Sequence, residues 1–181
     1  VKNLTKIRVI LIVTSDKVYE DKISKYKFTE KDRLGGVEPY GTSKAIQEMI
    51  VKTFYESYFK HLNTKLISAR AGNVLGGGDW AEDRLIVDII NSIINKTKME
   101  VRFPNNTRPW QYVIDLVFGY LLLVNKFYYD KIDYDSFNFA PQKSHPTQDI
   151  LDFSKKYWGK SFDYFVTEKQ NQIFEEKKLE I

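Results

Sequence analysis

The feature that most constrains the fold of this chain is an unbroken aliphatic run, Val9 to Val13, which ends at once in polar residues. A short run without alternation predicts a strand buried on both faces, as in a parallel sheet. Further apolar segments follow, with predicted helices at about 40–59, 83–94, 113–128 and 147–158 and predicted strands at 65–69, 101–103 and 137–139. Strands and helices that alternate in this way indicate an α/β fold with a parallel sheet.

The first predicted helix carries apolar residues near helical spacing, which is typical of an amphipathic helix. This apolar stripe consists of Ala45, Met49, Phe54 and Tyr58, widened by Ile46 and Ile50. Asp83 is placed to cap the second helix. Residues 21–39 are charged and contain two adjacent glycines, so this segment is predicted to be a loop.

The composition favours a folded chain of one domain or slightly more. Of its 181 residues, 43% are hydrophobic and 15% are aromatic, whereas disordered chains contain few aromatic residues. The net charge is +4, but lysines and arginines are scattered among acidic residues without forming a basic stripe. This distribution argues against a nucleic-acid partner and suits an anionic small substrate.

Several classes of site and location are disfavoured by what the sequence does not contain. The absence of cysteine excludes disulfides, thiolate metal sites and cysteine nucleophiles, and the two histidines have no metal-ligand spacing, so no metal is predicted. No apolar run approaches the ~18–20 residues of a membrane span, and no signal peptide is recognisable. We therefore expect a cytoplasmic protein without a membrane partner.

A tyrosine and a lysine, Tyr40 and Lys44, lie four residues apart at the start of the first predicted helix and so share one helix face. An adjacent ammonium group stabilises the phenolate form of a tyrosine, and such a pair can act as a general base. The spacing alone is weak evidence, because any tyrosine on a solvated, lysine-rich helix produces it.

Polar residues follow the predicted strands at the points where these strands end. Thr14, Ser15, Asp16 and Lys17 follow the first strand, a glycine-rich turn from Asn73 to Asp79 follows the second, and Asn138 lies in the last. Ligands of parallel α/β sheets bind beyond the carboxyl ends of the strands, so these groups could meet in one crevice. Alternatively, the residues after the first strand form only a capped loop with a surface ion pair.

Together these residues resemble the extended short-chain dehydrogenase/reductase family of NAD-dependent nucleotide-sugar dehydratases and epimerases. Its members place Ser or Thr after one strand and Tyr-x-x-x-Lys on the next helix. The dehydratase branch adds two acid/base residues directly after that Ser or Thr, usually Asp and Glu. Asp16 and Lys17 stand there in this chain, which is similar to the variant that acts on CDP-glucose. Residues 69–86 and 108–113 also resemble the family, so that the likeness extends over about residues 8–160.

The resemblance implies a 4,6-dehydratase, a lyase that converts CDP-glucose to a 4-keto-6-deoxy product with transient hydride transfer to bound NAD. It assigns catalysis to Ser15, Asp16, Lys17, Tyr40 and Lys44. Contact with NAD is implied for Thr14, Tyr40, Lys44 and Ala71. Contact with the nucleotide sugar is implied for Asn73, Arg84, Leu85, Arg102, Arg108 and Asn138. Asp16 is the better candidate for the acid and Lys17 for the base, but the reverse assignment stays open.

The resemblance also implies a domain organisation. Residues 1–78 and 112–143 would form the second half of a Rossmann-type, doubly wound NAD-binding domain, and residues 79–111 and 144–181 an incomplete, mixed nucleotide-sugar-binding subdomain. The family's Gly-x-x-Gly-x-x-Gly turn has no counterpart in this sequence. We therefore expect roughly 100 upstream residues, about three β-α units, to be absent. We also expect the 181 residues alone to be inactive.

The family pairs subunits through the helix that bears its Tyr-x-x-x-Lys motif, which implies a homodimer through the helix with Tyr40 and Lys44. Two other functions remain open. One is a related dehydratase or epimerase that acts on another nucleotide sugar, and the other is a non-catalytic binding or dimerisation module.

Overall fold

The computed structural model describes residues 6–20, 27–129, 134–167 and 181. Its helices are α1 Pro39–Ser57, α2 Leu85–Asn95, α3 Val113–Tyr129 and α4 Thr147–Trp158. Its strands are β1 Val9–Val13, β2 Lys65–Ala71, β3 Val74–Leu75, β4 Met99–Val101, β5 Thr107–Arg108, β6 Gln111–Tyr112, β7 Tyr134–Phe139, β8 His145–Pro146 and β9 Tyr164–Val166. The predicted α/β order is confirmed.

The main sheet has the order β1-β2-β7, and both pairs of strands are parallel. Val13 pairs with Ala69, and Ala69 with Phe137, so the three strands end at nearly the same level. The central strand β2 is buried along almost its whole length, as expected for the central strand of a parallel sheet. The polar residues that follow β1 and β2 therefore emerge at one edge of the sheet.

A second core, separate from the sheet, forms where α2 and α4 pack against the parallel pair of β4 and β9. Its buried members are Ile89, Met99, Val101, Leu151 and Phe162. These residues fall within the two ranges predicted for the substrate-binding subdomain. The boundaries of that subdomain stay a prediction, and residues 168–180 lie outside the described part of the chain.

Helix α1 is orientated differently from what its apolar pattern suggests. Of the predicted apolar stripe only Ala45 is buried, whereas Met49, Ile50 and Phe54 are 51%, 51% and 43% exposed. The inner face instead carries Gly41, Ala45, Glu48, Val51 and Tyr55. The apolar stripe is therefore mostly the solvent-exposed side of α1, and the buried side includes a carboxylate and a phenol.

The start of α2 also differs from its prediction. Arg84, not Asp83, is the residue that caps α2, and it makes no side-chain capping hydrogen bond. Asp83 has a left-handed φ of 58°, and its carboxylate accepts a hydrogen bond from Arg102 instead. The predicted strand at 101–103 lies two residues earlier, at Met99–Val101. The predicted loop at 21–39 is confirmed for 27–38 only, because 21–26 lie outside the described residues.

Among the described residues, no helix combines the length and hydrophobicity that a membrane crossing requires.

Candidate active site

The polar residues after β1 form a compact turn whose side chains are withdrawn from solvent. Ser15 precedes a short 3-10 turn, Asp16–Val18, and its hydroxyl accepts a hydrogen bond from the Lys17 backbone nitrogen at 3.2 Å. The same hydroxyl donates to Asp16 Oδ1 at 3.1 Å. Thr14, Ser15 and Asp16 are only 5%, 5% and 4% exposed. A hydroxyl and a carboxylate are thus fixed together at the end of β1.

Helix α1 begins directly beside this turn. The Glu38 carboxylate accepts hydrogen bonds from the backbone nitrogens of Tyr40 and Gly41, both at 2.7 Å, and so caps the helix. A Cβ on Gly41 would lie 2.4 Å from the Lys17 carbonyl oxygen, so only glycine permits this approach. Lys17 Nζ lies 3.9 Å from Glu38 Oε1. The first turn of α1 is therefore held against Lys17.

Tyr40 and Lys44 lie together on α1, as their spacing predicts. Lys44 Nζ is 5.7 Å from the centre of the Tyr40 ring and donates a hydrogen bond to Gln47 Oε1 at 3.3 Å. The Tyr40 side chain is 50% exposed. A phenol at this place is accessible to a ligand, and the amine lies beside it. The catalytic roles of both residues stay predictions.

A buried ion pair that was not predicted lies beneath the site. The Arg70 guanidinium binds the Glu48 carboxylate through Nε at 2.8 Å and Nη2 at 2.5 Å, and Glu48 also accepts from Thr14 Oγ1 at 2.7 Å. Glu48 is 1% exposed and Arg70 4%. Burial alone would lower the pKa of Arg70, but the hydrogen bond and negative charge of Glu48 raise it above its ordinary value. In the sequence, the signal for this ion pair was a charged residue, Arg70, between the two alanines at the end of β2.

The same guanidinium extends the network to β7 through Tyr19. Arg70 Nη1 donates to the Tyr19 hydroxyl at 2.9 Å, and that hydroxyl donates to Asn138 Oδ1 at 2.5 Å. Burial raises the pKa of Tyr19, although Arg70 acts in the opposite direction. Asn138 Nδ2 donates to the Phe28 carbonyl at 3.2 Å. Asn138, predicted to contact substrate, thus uses its side chain to hold the chain around Phe28, and a substrate contact stays a prediction.

Two further predicted residues lie where β2 gives way to the glycine-rich turn. Ala71 ends β2 and is buried, and the Asn73 carbonyl accepts a hydrogen bond from the Gln111 backbone nitrogen at 2.9 Å. A Cβ on Gly72 would lie 2.5 Å from Pro109 Cγ and 3.1 Å from Asp16 Oδ2. The absence of a side chain at Gly72 therefore lets this turn lie against the catalytic candidate Asp16.

The remaining substrate-binding candidates are divided between two places. Arg84 is exposed at the start of α2, Leu85 packs against the second core, and Arg102 Nη2 lies 3.1 Å from Asp83 Oδ1. Arg108 lies in β5, is only 5% exposed, and donates from Nη1 to the Thr107 carbonyl at 2.9 Å. Arg108 is therefore largely withdrawn from solvent, and its contact with the nucleotide sugar stays a prediction. In the described part of the chain, no group of three or more metal-ligating side chains is found.

Comparison with known sequences connects this geometry to a family. Residues 1–180 match the protein family described as GDP-mannose 4,6 dehydratase. A CDP-glucose 4,6-dehydratase from Salmonella typhimurium is 35% identical over 167 residues, which cover 88% of this chain and 46% of that protein. A dTDP-D-glucose 4,6-dehydratase from Dictyostelium discoideum is 31% identical over 98 residues, 54% of this chain and 21% of that protein.

Solved structures share the same fold at lower sequence identity. The dTDP-glucose 4,6-dehydratase from Bacillus anthracis in complex with NAD matches 99% of this chain with a TM-score of 0.79 and 21% identity. A UDP-glucuronic acid 4-epimerase variant from Bacillus cereus matches 99% with a TM-score of 0.82 and 16% identity. The chain covers 54% and 55% of these two proteins, about half their length. The predicted Rossmann-type fold is confirmed, and the chain belongs to the GDP-mannose 4,6 dehydratase family.

Proposed function

We propose that this chain carries the catalytic centre of an NAD-dependent nucleotide-sugar 4,6-dehydratase, which converts CDP-glucose to CDP-4-keto-6-deoxyglucose. The observation that carries the proposal is the packing of the first turn of α1, with Tyr40 and Lys44, against the buried turn that contains Ser15, Asp16 and Lys17. CDP-glucose is favoured by the Asp-Lys pair at 16–17 and by the Salmonella relative.

The residues at the carboxyl edge of the sheet fit a bound NAD. This edge is the usual ligand side of a parallel α/β sheet, and β2 ends there in two small residues, Ala71 and Gly72. Thr14, Ala71, Tyr40 and Lys44 would hold the cofactor. Bound NAD supplies a hydride acceptor that later returns the hydride to the sugar.

The chemistry assigned to the chain itself is a sequence of proton transfers. Tyr40, supported by the Lys44 ammonium, takes the proton of the sugar 4-hydroxyl as that carbon is oxidised to a ketone. Ser15, whose hydroxyl now donates to Asp16, would donate to the ketone oxygen and stabilise the negative charge that develops there. The ketone acidifies the proton on the neighbouring sugar carbon.

Elimination of water requires one base and one acid. Lys17 in its neutral form takes the proton from that carbon, and Asp16 in its acid form gives a proton to the departing 6-hydroxyl, which leaves as water. Both residues lie in the turn at the carboxyl end of β1, which supports their action on the same sugar. The roles of Asn73, Arg84, Leu85, Arg102, Arg108 and Asn138 in holding the nucleotide sugar are part of the same proposal.

A homodimer is also part of the proposal, because the outer face of α1 is apolar and half exposed. We call this face the α1 surface; it consists of Ile46, Met49, Ile50, Phe54 and Tyr58. An exposed cluster of large apolar side chains marks a protein interface. The occupant proposed here is a second copy of the chain, which would place the two catalytic helices side by side.

The proposed reaction is tested by assaying the full native polypeptide that contains this sequence with CDP-, dTDP-, UDP- and GDP-glucose. The 4-keto product and the retention of NAD are measured by mass spectrometry. We expect CDP-glucose to have the highest kcat/KM, by at least about tenfold. A higher value with another nucleotide would contradict the substrate, a 4-epimer without loss of water would indicate an epimerase, and no turnover at all would favour a non-catalytic binding module.

A further inference from the structure

Three segments that are distant in sequence meet in one buried polar row across the main sheet. Thr14 follows β1, Arg70 lies near the end of β2, and Asn138 pairs directly with Arg70 in β7. Glu48 and Tyr19 connect the members of this row through the hydrogen bonds described above. We call these five residues the strand-end network.

The burial of the strand-end network is not by itself an argument for stability. Removing two charges from water is expensive, and apolar residues of similar size often replace buried ion pairs without loss of stability. The network fixes the orientation of the Arg70 guanidinium. Arg70 Nε and Nη2 bind the two Glu48 oxygens, while Nη1 reaches the Tyr19 hydroxyl and, at 3.2 Å, the Glu30 carbonyl. A planar guanidinium held at all three nitrogens has one orientation.

The partners of Arg70 are the two elements that carry the proposed chemistry. Glu48 lies one helical turn after Lys44 on α1, so its position fixes the rotation and height of the helix that bears Tyr40. Tyr19 lies two residues after Lys17 and follows the 3-10 turn that contains Asp16. One guanidinium therefore holds both the helix with the proposed hydride-step base and the turn with the proposed elimination pair.

The network also holds the segment around residues 28–34 beside the site. Tyr19 stacks on Phe28 with a distance of 4.7 Å between ring centres, and the Asn138 backbone nitrogen donates to Glu30 Oε1 at 2.8 Å. At the far end of this segment, Tyr19 pairs with Leu34 in a short β-bridge. The order of this segment therefore depends on contacts with Tyr19 and Asn138.

We infer that the Glu48–Arg70 pair, extended by Tyr19, positions α1 relative to the turn after β1, so that its residues act on turnover without touching substrate. This inference rests on the proposed dehydratase function. Glu48, Arg70 and Tyr19 are positioning residues, and they set the geometry in which Tyr40 and Asp16 face the same sugar. A displacement of about 1 Å at such a site costs on the order of 100-fold in rate.

The principal test is Glu48→Gln in the full native polypeptide, which keeps the shape of the side chain and removes its charge. We expect kcat to fall by about 10–100-fold and KM to change by less than about threefold, with the first hydride transfer slowed as much as kcat. The matched control is Glu56→Gln on the same helix, whose carboxylate forms an exposed pair with Lys60. The control should leave kcat unchanged. A Glu48→Gln enzyme with a lower melting temperature but an unchanged kcat would overturn the inference.

A milder variant covers the case in which Glu48→Gln does not fold. Tyr19→Phe removes one hydroxyl, and with it the link between Arg70 and Asn138, but keeps the stacking on Phe28. We expect kcat to fall by about 3–10-fold and hydrogen exchange of the amides at 27–36 to accelerate. The control is Tyr120→Phe, since the buried Tyr120 hydroxyl has no hydrogen-bond partner among the described residues. Equal kcat values for Tyr19→Phe and its control would refute the positioning role.

The two proposals fail in different ways. If the parent enzyme forms 4-keto product and Tyr40→Phe abolishes it, while Glu48→Gln and Tyr19→Phe turn over normally, only the positioning role is wrong. If the parent enzyme is inactive with every nucleotide sugar, the proposed function is wrong. The positioning role is then decided by hydrogen exchange, because unchanged amide exchange at 27–36 in both variants overturns it without any activity measurement.

Discussion

The sheet region, formed by β1, β2, β7 and α1, and the second core, formed by α2, β4, β9 and α4, bury different kinds of side chain. The sheet region encloses the charged residues Asp16, Glu48 and Arg70. The second core is an apolar cluster, and among the described residues the buried hydroxyls on its helices, of Ser92 and Ser154, donate to backbone carbonyls of the same helix. Apolar burial is non-directional, whereas buried charges demand exact partners. On the proposed function, the sheet region would orient the chemistry, and the second core would mainly supply stability.

The largest effect expected in the sheet region comes from Tyr40→Phe. Loss of the phenol should lower kcat by about 10²–10⁴-fold, the usual contribution of a general base, while substrate affinity changes little. Steady-state kinetics and substrate titration of the full native polypeptide measure both quantities. Tyr157→Phe, which alters a 66% exposed tyrosine of α4, is the control. Near-normal turnover of Tyr40→Phe would contradict the assignment of the general base to the sheet region.

Asp16→Asn and Lys17→Met separate elimination from the first hydride transfer. Each change should slow loss of water by about 10²–10³-fold, since each removes an acid or a base, but should spare oxidation at the sugar 4-carbon. NADH should then accumulate on the enzyme, and its absorbance after rapid mixing with CDP-glucose measures this. If neither variant accumulates NADH while Tyr40 is intact, the two residues act before elimination or have no chemical role.

Ile89→Ala tests whether the second core contributes stability without directing chemistry. Ile89 is 1% exposed among the apolar residues of this core, and truncation there should lower the free energy of unfolding by about 2–5 kcal/mol. Ile94→Ala, at a 62% exposed position of the same helix, should change it by less than about 0.5 kcal/mol. Denaturant unfolding measures both. The comparison fails if kcat of the folded Ile89→Ala enzyme, assayed well below its melting temperature, falls as well.

Ile50→Glu addresses the outer side of the sheet region, the α1 surface. If a second copy covers this surface, an unpaired carboxylate there should weaken association by about 10–100-fold, equivalent to about 1.4–2.8 kcal/mol. Sedimentation velocity over a range of concentrations measures the dissociation constant. Ile50→Leu keeps the surface apolar and should associate like the parent protein. An unchanged association state in Ile50→Glu would exclude the α1 surface as the subunit interface.

The smallest expected effect is a loss of folding stability at alkaline pH. Burial raises the pKa of Tyr120, on α3, to about 12 from 10.0. A raised folded-state pKa gives stability that is complete below the unfolded value and is lost as the pH rises through the folded value. The parent protein should therefore lose stability between about pH 10 and 12, and Tyr120→Phe should lose less. Melting temperatures measured across this pH range test the prediction. If the melting temperatures of both proteins fall equally with pH, the prediction is wrong.

The sequence was most informative where a segment's own residues determine its structure. The boundaries of β1 at Val9–Val13 and of α4 at Thr147–Trp158 follow from an aliphatic run and from a helix that starts after Pro146. The proximity of Tyr40 and Lys44 follows from helical spacing alone. Local periodicity and local chemistry are sufficient for such features.

Features that depend on long-range partners were not predicted. A glutamate on a helix is nearly always solvated, and the burial of Glu48 is explained by two partners distant in sequence, Arg70, 22 residues further along the chain, and Thr14. The orientation of α1 does not follow from its apolar stripe, because the exposed face of this helix is as apolar as a core face. Asp83 failed as a cap because its left-handed backbone turns its carboxylate towards Arg102.

The alignment of strands in the main sheet limits how this gene can vary in length. Arg70 reaches Glu48 and Tyr19 because it lies beside Asn138 in the pairing of β2 with β7. Since successive strand residues point to opposite faces, insertion or deletion of one codon early in β2 would turn Arg70 away from both partners. The aliphatic composition of the strand would hardly change. Length variation tolerated in loops should therefore be absent between Lys65 and Arg70, even where individual aliphatic residues exchange freely.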